Sequence, residues 1–516
     1  MKITALHQWT PDPGRAYLWR PTPACLAAAA DAPVADGPVT FLAENHVRSA
    51  HLAHTRGTPH RAYLGSGTQL DGTLDVEAMT SALTAFVCRH AILRSWFESD
   101  GPTVLRHVVG ADDVAFEVEE LGLLDTPDAI DRHLRHRFEA ETRSDTFPGL
   151  AFGVIAHHDG FAMYLGCDHA LSDGASQALA LAELAELYES AVDGDVRDGE
   201  TCEHARSAPA PGDYLEYAVA EAAIARDHGT ESPEFMEWRD TFARNGLRMP
   251  TFPLDLGLAP GETAPVAPLE MDILDRVGID GFDKVCKSAG GSFLSGIYAA
   301  MAITGYELGC GPHHYGMTVL NTRALLPHFA RSQGWFCAFA PVEIDLGPNA
   351  DFTGLLPSAH TAQQRTKRLA TVPVQSALAA MIAAGATTDD VVSAPNLLSY
   401  IDFRWFPGDG SPAYDRGVIF TGEGRTANAS VWINRDHERL YLGSQTPDTS
   451  FAQRQVHRYF GHLCEVIADV ASSGDHRIVE PTDAADLTGI PTDVPTHTDD
   501  HAPTHLEEHR LARHDH

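Results

Sequence analysis

The sequence predicts an α/β protein that is divided into two halves. Apolar, β-prone runs alternate with segments of helical apolar periodicity from about residue 61 to residue 471. The chain has 516 residues, which is long enough for more than one hydrophobic core. Two prolines, Pro250 and Pro253, are followed by Gly257, Pro260 and Gly261, and this cluster marks a boundary near the middle of the chain.

The clearest local prediction is a buried β-hairpin that leads into a helix. The apolar runs LAFGVIA (150–156) and FAMYLGC (161–167) are separated by His158-Asp159-Gly160, and an Asp-Gly pair favours a hairpin turn. Both runs are apolar on both faces, so we expect them in the middle of a sheet. Helical spacing resumes after Gly174. His169 therefore stands at the mouth of a buried strand, where an imidazole with an ordinary pKa of ~6.5 is suited to accept a proton.

The other elements follow from the same two periodicities. Residues 1–60 are expected to be irregular apart from a helix at 39–54. The remaining helices are predicted at 76–93, 127–144, 213–227, 232–245, 278–288, 293–308, 352–370, 373–384 and 451–471. The remaining strands are predicted at 61–67, 103–109, 114–119, 265–275, 315–320, 340–345, 395–404, 427–434 and 439–444.

Composition excludes some classes of partner. The formal net charge is -34, from 71 acidic and 37 basic residues, which argues against nucleic acid and against anionic membranes. The eight cysteines include no CxxC pair and are typical of buried thiols in a reducing compartment. No signal peptide or transmembrane segment is indicated, so we expect a cytoplasmic protein. Residues 481–516 are polar, with six histidines, and predict a disordered tail; weak metal binding is the alternative.

Five segments together resemble one protein family. The motif Asp168-His169-Ala170-Leu171-Ser172-Asp173-Gly174 resembles the HHxxxDG motif of the condensation-domain and polyketide-associated acyltransferase superfamily. The other segments resemble its RHxxLRxxF helix end, its crossing segment between lobes, its G-[FW]-x-N-x-x-P segment and its SYxDxRxxPG segment. In this sequence they are residues 89–97, 238–256, 334–341 and 399–408. The resemblance spans about residues 40–475.

The resemblance implies an α/β fold of two chloramphenicol acetyltransferase-like lobes with mixed sheets, arranged as a V-shaped pseudo-dimer. The lobes would be residues 1–258, which carry the DHxxxDG motif, and residues 259–480. A tunnel would cross between the lobes with His169 at its centre, and Asn321 and Trp335 are predicted to line it.

The family motif also implies roles for single residues. His169, Asp173 and Gly174 form the catalytic motif: His169 is the predicted base, and the Gly174 N–H is a candidate oxyanion donor at a helix start. Asp173 is interpreted as an anchor paired with Arg323, because a buried carboxylate needs such a partner. Asp168 replaces the first motif histidine. Consecutive strand residues point to opposite faces, so Asp168 is interpreted as structural support.

The predicted function is a free-standing acyltransferase that moves an acyl group from a thioester to a hydroxyl acceptor in natural-product or lipid biosynthesis. The donor would be acyl-coenzyme A or an acyl or peptidyl carrier protein with a phosphopantetheine arm, and the acceptor a small molecule. No metal or other cofactor is required by this chemistry, and a monomer is expected. The alternatives are an amide-forming condensation enzyme of nonribosomal peptide type and a non-catalytic recruitment module, which the replacement at Asp168 favours.

Overall fold

Two mixed seven-stranded sheets carry most of the described chain. A computed structural model describes residues 1–57, 62–194, 211–325, 327–387, 395–421 and 424–481. The predicted tail at 481–516 thus lies, after its first residue, outside the described residues. The predicted α/β class with mixed sheets is confirmed, because each sheet combines parallel and antiparallel neighbours.

The first sheet has the strand order β1-β13-β3-β8-β7-β2-β6. Its strands are β1 (Lys2–Ile3), β2 (Gly14–Pro21), β3 (Tyr63–Asp71), β6 (Phe116–Leu124), β7 (Leu150–Ala156), β8 (Gly160–Asp168) and β13 (Val418–Thr421). A separate hairpin is formed by β4 (Ser95–Ser99) and β5 (Val104–Val108). The predicted buried hairpin is β7–β8, and β8 is the central strand of the sheet with every residue buried.

The second sheet has the order β11-β10-β12-β15-β16-β9-β14. Its strands are β9 (Ala264–Asp275), β10 (His313–Asn321), β11 (Cys337–Asp345), β12 (Leu397–Asp402), β14 (Arg425–Thr426), β15 (Ser430–Arg435) and β16 (Arg439–Pro447). Strands β10 and β11 are antiparallel partners, and Asn321 at the end of β10 pairs with Cys337 at the start of β11.

Thirteen α-helices lie within the described ranges. The first six are α1 (Pro23–Ala30), α2 (Phe41–Thr55), α3 (Val76–Arg89), α4 (Pro127–Glu141), α5 (Gly174–Val192) and α6 (Tyr214–Asp227). The others are α7 (Pro233–Arg244), α8 (Arg276–Ser288), α9 (Phe293–Glu307), α10 (Phe352–Leu369), α11 (Val374–Ala383), α12 (Pro412–Asp415) and α13 (Ser450–Ser473). None of the described helices is both long and apolar enough to span a bilayer.

The N-terminal segment is more regular than predicted. Residues 1–60 were expected to hold one helix, whereas the structure also forms β1, β2 and α1 there. Strand β2 pairs with β6 on one side and with β7 on the other. The prolines of this segment favoured a loop, but they either precede β2 or stand at its last position, Pro21. Within β2 the alternate residues Ala16 and Leu18 are buried in the core.

One strand crosses the predicted boundary between the halves. Strand β13 belongs to the second half by sequence, yet it pairs in parallel with β1 and antiparallel with β3 in the first sheet. The first hydrophobic core correspondingly includes Phe336, Tyr414 and Ile419. The predicted division between residues 258 and 259 stays a prediction. Strand β13 lies after this boundary in the sequence but belongs to the first sheet.

Glu307, the last residue of α9, lies between two histidines of the C-terminal segment, His462 and His476. The Glu307 carboxylate accepts hydrogen bonds from His462 Nε2 at 2.6 Å, His476 Nε2 at 3.1 Å and the Val479 N–H at 2.8 Å. Burial alone would raise the pKa of Glu307, but these hydrogen bonds lower it to about 2. The bond to Glu307 raises the pKa of both histidines.

These contacts of Glu307 predict a stability difference that depends on pH. The Glu307 contribution is lost as pH falls below the ordinary glutamate range toward its lowered pKa, and the histidine contribution is lost as pH rises through their raised pKa values. Glu307→Gln should therefore lower the Tm most near pH ~5.5, by about 1 °C for ~1 kcal/mol in a chain of 516 residues. Glu465→Gln is the control, because that carboxylate also contacts His462 but is 76% exposed. Equal Tm losses at all pH values would contradict the assignment.

Candidate active site

His169 lies directly after β8, where the central strand of the first sheet ends. Its backbone N–H donates to the Ala62 carbonyl at 3.1 Å, which fixes the chain beside β3. The imidazole lies against the Trp335 ring, with ring centroids 3.9 Å apart and planes inclined by 31°. The residue is partly exposed, and its buried Nδ1 has no side-chain hydrogen-bond partner among the described residues. The predicted base is thus held by its backbone and by an aromatic ring.

The surroundings of His169 favour the neutral imidazole. Burial lowers the pKa of His169 to about 4, and the nearby His46 acts in the same direction. The carboxylates Asp173 and Asp168 act in the opposite direction but do not outweigh burial. A neutral ring near pH 7 is able to accept a proton, which is what a general base must do.

Asp168 is buried, with 4% of its surface exposed, and it organises the turn that carries His169. Its Oδ1 accepts the Ala170 N–H at 2.8 Å, and its Oδ2 accepts the Ser144 N–H at 3.1 Å. Its third partner is His46, whose Nε2 lies 2.9 Å from Oδ1. These contacts are of the supporting kind expected for Asp168.

Sequence reasoning did not single out His46. It lies on α2, which was predicted, and its ring centroid is 6.1 Å from that of His169 and 5.9 Å from that of Trp335. The available signal was a histidine next to Val47 and three residues after Ala43, on the buried face of the helix. That pattern is ambiguous without knowledge that Asp168 lies opposite.

Asp173 and Arg323 meet across the two halves of the chain. Arg323 Nη1 donates to Asp173 Oδ2 at 2.8 Å, and both side chains are about 95% buried. Asp173 also accepts the Ser176 N–H at 2.7 Å as the N-cap of α5 and the Phe336 N–H at 2.8 Å. Burial would raise the pKa of Asp173, but Arg323 and these donors hold it below its usual range. The carboxylate is fully engaged, so the geometry fits an anchor.

The rest of the Arg323 guanidinium binds backbone and hydroxyl groups around the same junction. Its Nε donates to the Ser332 carbonyl at 3.1 Å, and Nη2 donates to the Gly334 carbonyl at 3.1 Å and to Ser176 Oγ. The group also lies 4.2 Å from the Phe336 ring centroid. Ser176 Oγ in turn accepts the Gly334 N–H at 3.0 Å. The loop that presents Trp335 is therefore tied to the start of α5.

Gly334 permits a close approach that no other residue allows. Its φ is +142°, and a Cβ built there would lie 2.3 Å from the Tyr214 ring. Tyr214 uses this proximity to donate its hydroxyl to the Trp335 carbonyl at 2.9 Å. The same hydroxyl is 3.0 Å from Thr40 Oγ1, just before α2 begins. Tyr214 thus connects the His46 helix with the Trp335 loop.

The other predicted residues have mixed surroundings. Gly174 is the first residue of α5, and no described atom lies within 4 Å of where its Cβ would be. Asn321 is exposed and its Oδ1 accepts the Arg323 N–H at 3.0 Å, so it supports that loop; its role in lining a tunnel stays a prediction. Cys337 stands where the family pattern has asparagine, and burial raises the pKa of its thiol, which disfavours a nucleophilic thiolate.

A cavity with a mixed apolar and polar lining borders the site. This cavity of 440 Å³ reaches Asp168 from the side of α2 and is lined by aromatic, acidic and basic side chains, including Trp96, Glu98 and Arg143. Within the described ranges, no group of three or more histidine, cysteine, aspartate or glutamate side chains is placed to hold a metal ion.

In a comparison with protein families, the family model of the condensation domain matches residues 59–381 of this chain. Among curated proteins, the chain is 29% identical over 377 residues to the 2'-acyl-2-O-sulfo-trehalose (hydroxy)phthioceranyltransferase PapA1 of Mycobacterium tuberculosis (strain CDC 1551 / Oshkosh), covering 73% of this chain and 70% of that protein. It is 26% identical over 485 residues to the trehalose-2-sulfate acyltransferase PapA2 of Mycobacterium bovis (strain BCG / Pasteur 1173P2), covering 93% and 99%.

Solved structures show the same architecture. The structure of PapA2 acyl transferase matches with a TM-score of 0.79 at 23% identity, covering 92% of this chain and 100% of that chain. The first condensation domain of the calcium-dependent antibiotic synthetase, in complex with substrate analogue 2a, matches with a TM-score of 0.62 at 16% identity, covering 84% and 98%. These likenesses confirm the predicted fold of two chloramphenicol acetyltransferase-like lobes.

The Asp173–Arg323 contact predicts a large loss of stability when one partner is removed. Asp173→Ala or Arg323→Ala should each lower the free energy of unfolding by about 3–5 kcal/mol, because the other charge stays buried without a partner. Arg331→Ala is the matched control: its ion pair with Glu186 is half exposed, so the change should be about 0.5 kcal/mol or less. Denaturant and thermal melts measure both. Wild-type melting of both junction variants would contradict a buried pair.

Proposed function

Because the chain belongs to the condensation-domain family and is an acyltransferase, we propose that it transfers an acyl group from a thioester to a hydroxyl acceptor, with His169 as the general base. The observation that supports this most directly is the position of the His169 imidazole, which follows the central strand of the first sheet and lies against the Trp335 ring. Nδ1 is buried while the residue as a whole is partly exposed, so the other ring nitrogen, Nε2, is the proposed contact for a substrate hydroxyl.

In the proposed reaction, a ring nitrogen of His169 takes the acceptor hydroxyl proton while the hydroxyl oxygen attacks the thioester carbonyl carbon. The carbonyl electron pair moves onto oxygen and gives a tetrahedral oxyanion. Gly174 begins α5, where backbone N–H groups are not used by the helix, so its N–H is a candidate donor to this oxyanion. Collapse of the oxyanion breaks the C–S bond, and the leaving thiolate receives the proton from His169. The product is an ester and a free thiol.

The thioester donor is proposed on chemical grounds. The sequence contains no GxxxxGK[ST] loop with which to activate a free acid by a nucleotide, so an already activated acyl group fits better. Coenzyme A and the phosphopantetheine arm of an acyl or peptidyl carrier protein both present such a thioester.

The hydroxyl acceptor is supported by the relatives. PapA1 and PapA2 are named as acyltransferases of sulfated trehalose, a sugar whose acceptor groups are hydroxyls. We propose an acceptor of the same chemical kind, with lipid or other natural-product biosynthesis as the setting. An alcohol also needs a base more than a free amine does, because its proton is held until the attack is under way.

His169→Ala should lower kcat by roughly 10²–10⁴, the usual contribution of a general base, while the melting temperature stays close to wild type. In the wild-type enzyme, kcat/KM should fall as pH drops through the lowered His169 pKa of about 4, because the base becomes protonated. His158→Ala is the control, since His158 is 95% exposed at the β7–β8 turn. Turnover of His169→Ala at the wild-type rate would remove His169 from the mechanism.

The acceptor class is tested by competition between a matched alcohol and amine with one thioester donor. We expect the ester to predominate in intact-mass or chromatographic assays, with short, long and aryl acyl groups tried on both coenzyme A and carrier protein. Preferential amide formation would contradict the hydroxyl proposal and favour a condensation of the nonribosomal peptide type.

A further inference from the structure

Two histidines, not one, lie at the centre of this site. His46 comes from α2 and is 8% exposed, and its Nε2 lies 2.9 Å from Asp168 Oδ1. Asp168 immediately precedes His169 in the chain. The ring centroids of His46 and His169 are 6.1 Å apart, and Trp335 lies 5.9 Å from the first and 3.9 Å from the second.

The arrangement differs from that of an ordinary core histidine. A buried histidine and a buried carboxylate both lose hydration, and their contact offsets this cost only when the geometry is good. Here the carboxylate has two further donors, the backbone N–H groups of Ala170 and Ser144. His46 completes a set of contacts that fixes the segment on which His169 is carried.

Helix α2 is itself fixed relative to the other ring of the site. Thr40, just before the helix, contacts the Tyr214 hydroxyl at 3.0 Å, and the same hydroxyl donates to the Trp335 carbonyl. The Phe41 N–H donates to the half-buried Glu221 carboxyl group at 3.0 Å. One helix, α6, therefore sets the distance between His46 and Trp335, with His169 between them.

We propose that His46, which lies against Asp168, is a positioning residue of the acyl transfer and orients the segment that carries His169. This inference rests on the proposed function, because it requires His169 to act as the base. In this chain the pair Asp168–His46 brings a second imidazole to the site from a distant helix.

The titratable groups that face His169 determine in which direction its pKa should change when His46 is removed. His46 opposes protonation of His169, whereas Asp168 and Asp173 favour it. The charge of Asp173 is largely compensated by Arg323 at 2.8 Å. At separations of about 6 Å, electrostatic interactions between groups in a partly buried site are much stronger than they are in water. Loss of His46 should therefore make His169 easier to protonate.

The experiment compares His46→Gln with wild type in steady-state assays over pH, using one acyl-coenzyme A or acyl-carrier thioester on which the wild-type enzyme turns over. We expect kcat to fall about tenfold, within the range for residues of one hydrogen-bonded network, with KM within about twofold of wild type. The acidic limb of kcat/KM should move to higher pH. A residue that only supports the fold would lower activity without moving this limb.

His158→Gln is the matched control, because His158 also contacts an aspartate, Asp159, but the pair is 95% and 87% exposed. It should leave the rate and the pH profile unchanged. An acidic limb that stays in place or moves to lower pH in His46→Gln, while His169→Ala is inactive, would overturn the inference and leave the proposed function intact. A fully active His169→Ala would instead overturn the base role, and the inference with it.

A measurement on the unmodified protein covers the case in which His46→Gln does not fold. Nitrogen signals of isotopically labelled imidazoles report protonation directly, and His169→Ala assigns the His169 ring. We expect the His169 ring to stay neutral as pH falls through the ordinary histidine range, and we expect nuclear Overhauser contacts between the His46 and Trp335 rings. A His46 ring without contact to Trp335 in solution would overturn the inference.

Discussion

The ion pair between Asp173 and Arg323 is the interaction on which the rest of the site depends. It joins the loop after the central strand of the first sheet to the loop between β10 and β11 of the second. Because both groups are buried, each is tolerated only in the presence of the other. The same guanidinium holds the backbone of the loop that presents Trp335, so the ring against which His169 lies is positioned by this pair.

The two aspartates of the motif have different environments and therefore different roles. Asp173 faces a permanent cation, and its charge is fixed over the working range of pH. Asp168 faces the His46 imidazole and two backbone N–H groups instead of a permanent cation. The His169 imidazole between them carries no carboxylate partner of its own in the described residues. Burial is the main cause that lowers the pKa of this imidazole, and the nearby His46 acts in the same direction.

Local sequence patterns were sufficient for much of the fold and for part of the site. The hairpin β7–β8, the start of α5 at Gly174 and the strand that ends beside Arg323 all follow from periodicity and turn chemistry. The Asp173 partner followed from the resemblance of the motif to a family. His46, β2 and β13 were missed. Each is defined by a contact distant in sequence: Asp168 for His46, β7 for β2, and β1 and β3 for β13. No local period encodes such a pairing.

The position of β13 in the first sheet affects the order in which the parts of the protein can fold. The first sheet is complete only when residues 418–421 insert between β1 and β3. During synthesis from the N-terminus, the edge of β3, which ends at Asp71, therefore stays open until β13 begins at Val418. Contacts so distant in sequence form late, and an unpaired edge invites association with other chains. Completion of the first sheet thus depends on synthesis of the second half, whereas the second sheet is built entirely from strands between Ala264 and Pro447.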